Sequence, residues 1–180
     1  VFNILPNSIK LRNLFSRKAS IFLQLVYGIK EKTSMSDEYI EEFNSYLSGE
    51  ISALEYCDSA LTKASSEDIK AALQACRASH QKRVDGLRDS IKNLGGVPTD
   101  SSGPFGAISN ANHATITLER DALALVEQSE AERLVNYESQ RELVVGAVLQ
   151  FLEKVLLPAQ HESHLAVSAA LKAIDPIPAK

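Results

Sequence analysis

The hydrophobic positions recur at spacings of three and four along most of the chain, and three polar residues interrupt them. Phe43, Leu47, Glu50, Leu54, Cys57, Leu61 and Ala64 form one stripe. Ile69, Leu73, Cys76, His80, Val84, Leu87, Ile91 and Leu94 form a second. A third reads Leu123, Val126, Glu130, Leu134 and Tyr137. Such spacing puts each set on one helical face, the face that must be buried. An ionisable group buried there costs several kcal/mol, roughly, unless it is paired. Glu50, His80 and Glu130 therefore need each other or a metal.

The stripes and the punctuation between them predict four helices. The first runs from about Asp37 to Ala64. Ser65-Ser66-Glu67-Asp68 supplies a turn and an N-cap, and the second helix continues to about Leu94, where Gly95-Gly96 and Pro98 stop it. So short a turn makes the two helices antiparallel. Residues 95–106 are turn chemistry throughout, and twelve residues reach about 40 Å, enough to cross a bundle from end to end. Residues 107–116 are expected to form a short capping helix within that crossover. The third helix starts near Leu118, and the fourth ends near Ile174, before Asp175-Pro-Ile-Pro. Pro158 should kink the fourth helix or mark a late start. No hairpin signal for strands is present, so the fold class is all-α.

Levelling residues about each turn ties the polar positions together. With the first turn centred at 65–66, Glu50 faces residue 81, beside His80. If Glu130 pairs in the same way with His164, the second turn centres at 147, next to Gly146. His164 has its own stripe of Leu157, Val167, Leu171 and Ile174. Each half then repeats one plan, a Glu on its first helix level with a His on its second.

Charge divides the chain. Residues 1–35 hold six Lys or Arg and one acid, whereas the remainder holds 13 basic and 22 acidic residues. An acidic body speaks against nucleic acid as a partner. The basic tract 1–35 carries an apolar run at 19–29, too short for a membrane span of about 20 residues. It reads as a targeting or interfacial segment, or as sequence upstream of a start at Met35, the single methionine. A membrane contact is expected only through residues 1–34. The bundle is assigned to 36–175 and a tail to 176–180. Cys57 and Cys76 lie on core stripes with no CxxC spacing and are expected to be reduced and buried, as in a cytoplasmic protein.

Tyr46-Leu-Ser-Gly-Glu50 with Ala53 and Tyr56, Leu94-Gly-Gly-Val-Pro-Thr-Asp100, and Leu157-Pro-Ala-Gln-His-Glu-Ser-His164 together resemble the bacterial ferritin-like domain of unknown function 2383. The resemblance covers about residues 37–175. It implies a ferritin-like antiparallel four-helix bundle with one long crossover and a candidate metal site, without an established activity. Ferritin-like di-metal proteins carry Glu on two helices and Glu-x-x-His on the other two. Here Arg77 and His161 stand three residues before His80 and His164. Both bridging carboxylates are missing, and Arg77 adds positive charge, so two carboxylates and two neutral imidazoles suit one divalent cation.

Glu50, His80, Glu130 and His164 are accordingly the candidate ligands of one zinc, iron or manganese ion, with His161 as a candidate fifth. The competing reading is two buried Glu–His pairs that fix helix register. A degenerate di-metal oxidase that recruits Asp85 or Glu127 is another function class. An interaction module whose bundle or N-terminal tract docks a partner or a membrane surface is the last, and a homo-oligomer is a separate partner expectation. His113 reads as a solvent or capping residue. Glu55, Glu127, Glu132 and Glu138 lie off the stripes and read as solvated. No nucleophile elbow, P-loop or GxGxxG is present, so hydrolase, nucleotide-binding and dehydrogenase readings lack a site.

Overall fold

The computed structural model describes residues 34–103 and 116–174. The basic tract before Ser34, most of the expected capping helix, His113 and the tail lie outside the described residues. By its internal contacts the chain separates into Val1–Ser34 and Met35–Lys180. Every helix of the described residues belongs to the second unit.

Among the described residues every regular element is helical. Helix α1 is Met35–Leu61, α2 is Glu67–Asn93 and α3 is Glu119–Gln140. A shorter α4, Gly146–Phe151, runs into a π-helical turn, Leu152–Leu156, and then into α5, Leu157–Ile174. Helix α1 packs mainly on α2, and α3 mainly on α5. Both pairs are antiparallel: Glu50 meets His80 while Cys57 meets Cys76, and Glu127 meets His164 while Glu138 approaches His161.

The ends have local causes. Acidic Asp37 and Glu38 lie in the first turn of α1, where the helix dipole favours them. At the end of α2, Gly95 adopts φ +81° and the Gly96 amide donates back to the Ile91 carbonyl, a left-handed glycine stop. The start of α2 differs from the sequence expectation, because the Ser66 side chain makes no cap bond. Glu119, from the first turn of α3, caps it instead. Its Oε2 accepts from the Ser65 amide at 2.6 Å, the Ser65 hydroxyl at 2.8 Å and the Ser66 amide at 3.0 Å. Those donors hold the Glu119 carboxyl below its ordinary pKa.

Glu119 also locates the connection. The chain leaves α2 with Gly96 against Ile40, near the start of α1, and enters α3 beside Ser65, beyond the end of α1. Its first residues run along α1: Asn44 brackets Val97 and Thr99, and Ser48 donates to the Ser101 carbonyl.

All eight positions of the second stripe but Leu94 are buried, as are Phe43, Leu47, Glu50 and Cys57 of the first. The apolar interior is nevertheless not continuous. One cluster holds Phe43, Leu47, Leu87, Ile91, Val148 and Leu152, and another holds Cys57, Ala60, Leu73, Cys76, Leu123 and Val167. Buried polar side chains occupy the level between them.

Candidate functional site

His80 is the hub of that polar level. Its Nδ1 lies 2.7 Å from Glu50 Oε2 and its Nε2 lies 2.8 Å from Glu130 Oε1, so one imidazole joins α1 to α3 from α2. Glu50 and His80 are wholly buried and Glu130 is 1% exposed. Glu50 Oε2 also accepts from Arg83 Nε at 2.8 Å, and Glu50 Oε1 accepts from the Tyr137 hydroxyl. Glu130 Oε2 accepts from the Ser163 hydroxyl, while Gln160 donates to the Glu130 backbone carbonyl at 2.9 Å. Arg133 is half-buried at the rim and donates to the Gly49 carbonyl at 2.8 Å.

The electrostatics follow from this crowding. Burial alone would raise both carboxyls. The His80 and Arg83 charges overcome it at Glu50, which is held far below the usual carboxylate range. At Glu130 the hydrogen bond and charge of His80, with Arg133 and Ser163, bring the pKa down to about 2. Burial pushes the imidazole down, but the Glu50 charge and the bonds to Cys76, Glu130 and Glu50 outweigh it and raise His80 to about 10. A carboxylate oxygen lies at each ring nitrogen, which favours the imidazolium state, in which both nitrogens donate. Arg83 Nε and His80 Nδ1 meet on Glu50 Oε2, which brings Arg83 Nη2 to 2.5 Å from Nδ1.

Of the five sequence-predicted site residues, the structure brings together Glu50, His80 and Glu130. His164 is elsewhere: its Nε2 lies 3.1 Å from Glu127, with both side chains about a quarter exposed. From the end of the π-turn into the last helix, Leu156, Gln160, Ser163 and Val167 point inward in a 4-3-4 series, with Leu157 buried beside them. The expected stripe through Leu157, His164, Val167, Leu171 and Ile174 holds for Leu157 and Val167, which are buried, but it gave weight to apolar residues and passed over Gln160 and Ser163. Ser163, not His164, faces Glu130, and Glu127 has a partner where a solvated side chain was expected. The π-turn at Leu152–Leu156 shifts the facing of α5 by one residue. It lies just before Pro158, whose missing N–H cannot complete a regular helical bond. His161 is exposed and 3.8 Å from Glu138. Asp85 is exposed and accepts from Gln81.

Arg77 does not add its charge to the core. It turns outward to Asp58, with Nε to Oδ1 at 2.5 Å and both side chains well exposed. Arg83 supplies the buried positive charge instead. Its signal in the sequence was its place three residues after His80, on the same helical face.

At the other side of His80, Cys57 Sγ and Cys76 Sγ lie 3.7 Å apart and both residues are 1% exposed. The hydrogen-bond contact with Cys57, together with burial, pushes the Cys76 thiol well above its usual pKa. Ligand atoms of Cys57, Cys76 and His80 all lie within 4.8 Å of one another, a group able to hold a metal ion. Neither thiol was among the residues singled out as ligands from the sequence.

Residues 38–140 match the family described as Domain of unknown function (DUF2383). The chain belongs to that family. No curated protein and no solved structure matches it. Among the described residues of this family member, no helix is long and apolar enough to cross a membrane.

Proposed function

We propose that this chain is a ferritin-like, non-catalytic four-helix bundle of a bacterial cytoplasm that holds a single divalent cation rather than a di-metal pair. The end-to-end course between α2 and α3, the two antiparallel pairs and the inward Glu50, His80 and Glu130 support the ferritin-like plan. Free thiols 3.7 Å apart suit a reducing compartment.

One observation carries the non-catalytic reading. All four inward carboxylate oxygens already accept from protein donors: Tyr137 on one Glu50 oxygen, His80 and Arg83 on the other, His80 and Ser163 on those of Glu130. A di-metal centre needs such oxygens free to bridge, and it needs the two Glu-x-x-His carboxylates that Arg77 and His161 replace. The buried guanidinium of Arg83 occupies the electrostatic role of the second cation. The residues therefore do not fit the di-metal group of the ferritin-like class, and no oxidase step is derived.

Elemental analysis of the purified chain, together with oxygen uptake on adding ferrous iron, tests this. One metal ion per chain and no catalysed uptake are expected. Two ions per chain, or turnover of ferrous iron, would revive the oxidase reading.

A further inference from the structure

We propose that the cation is a thiophilic one, zinc in the first place, bound by Cys57, Cys76 and His80, with Glu50 fixing the imidazole from behind. This rests on the single-cation reading above and names its ligands and its chemical class.

The arrangement has the separations such a site requires. Zinc–thiolate bonds of about 2.3 Å at a tetrahedral angle put two sulfurs about 3.8 Å apart. The two Sγ atoms here are 3.7 Å apart, with a His80 nitrogen within 4.8 Å of each. Ligation through Nε2 displaces the proton that this nitrogen shares with Glu130 Oε1 at 2.8 Å. Ligation by Nε2 leaves the Nδ1–H donating to Glu50 Oε2 at 2.7 Å. A carboxylate on the far nitrogen of a metal-bound histidine fixes its tautomer and raises its basicity.

Charge favours thiolates over the four-residue Glu and His set. Glu50 and Glu130 are offset by Arg83 and Arg133, so they have no net charge left for a hard cation. Two thiolates bring their own two charges and neutralise a divalent ion on the side of His80 away from the guanidinium groups. Soft sulfur ligands also select zinc over manganese or magnesium. The two ligand-bearing helices, α1 and α2, are thereby tied together by Cys57 and by Cys76 with His80.

Cobalt(II) titration of the full chain, stripped of metal and reduced with a phosphine, tests the site. One equivalent should produce the near-ultraviolet thiolate-to-cobalt charge-transfer band and the strong visible bands of four-coordination, and zinc should abolish both. Cys57→Ser and Cys76→Ser should each weaken zinc binding by about 100-fold or more and remove or halve the charge-transfer band. Glu50→Gln should keep the band and weaken binding about 10- to 100-fold. Zinc-edge X-ray absorption of the unaltered chain gives a reading independent of variant folding, with two sulfur neighbours expected. One bound metal without a thiolate band and without sulfur neighbours would overturn this assignment while leaving the single-cation reading intact. Retention of no metal at all would overturn both.

Discussion

Removing the Glu50 carboxylate should be among the most damaging single changes available to this protein. Glu50→Ala leaves three buried donors without their acceptor: the Tyr137 hydroxyl, His80 Nδ1 and Arg83 Nε. Two of those are cations with exposures of 0% and 1%, so water cannot take over. Breaking a buried ion pair by deleting one partner costs about 3–5 kcal/mol. For a domain of this size each kcal/mol moves the melting temperature by about 3 °C, so a fall of about 9–15 °C is expected. Asp100→Ala is the internal control. Its partner Arg88 lies 2.9 Å away, but the Asp100 side chain is 88% exposed, and such pairs contribute about 0–1 kcal/mol. If Glu50 and His80 formed an isolated pair, Glu50→Leu with His80→Leu would restore stability. The structure makes the opposite expectation, because Arg83 and Tyr137 lose Glu50 and Glu130 loses His80. Adding Arg83→Met should recover part of the loss. Urea denaturation in the presence of a chelator measures all of these. A Glu50→Ala loss no larger than that of Asp100→Ala, or full recovery in the double-leucine variant, would refute the network as drawn.

Metal-free stability should peak between about pH 4.5 and 6.5. The raised His80 pKa contributes fully below the unfolded value of 6.5 and is lost as pH climbs through about 10, while Glu130 and Glu50 contribute above 4.5 and are lost as pH falls towards about 2. The facing groups are Arg83, Arg133, Tyr137 and Cys76, and equal urea midpoints at pH 5.5 and 8.5 would contradict this scheme. Cys57 and Cys76 should react slowly with thiol reagents when native and rapidly once unfolded, since both are 1% exposed; a rapid native reaction would contradict their burial. Gly146→Ala should destabilise more than Gly95→Ala. Both residues have positive φ, which costs about 1–2 kcal/mol for a side chain. Only at Gly146 would the new Cβ run into Tyr39, so equal melting temperatures for the two variants would count against that contact.

Periodicity alone determined the helices and most of what they bury. A 3.6-residue repeat is a local property, and the Gly95-Gly96 stop and the acids at the start of α1 are local as well. The same repeat put Glu50, His80 and Glu130 inside, because their neighbours on each stripe are apolar. The short turn at 65–66 put Cys57 within about two residues of level with Cys76. What periodicity could not decide was the rotation of the last helix. A π-turn ahead of Pro158 re-phases it by one residue, and that one residue sends Ser163 inward and His164 out to Glu127. Nor could spacing choose between Arg77 and Arg83, which stand equally far from His80 on opposite sides along the helix. Packing chose: Asp58 lies beside Arg77 at the surface, whereas Glu50 offers Arg83 a buried acceptor. The cap on α2 came from Glu119, 53 residues away in sequence from Ser66. Local pattern sets which side chains are buried, but the partner of a buried charge comes from another helix, and only tertiary packing supplies it.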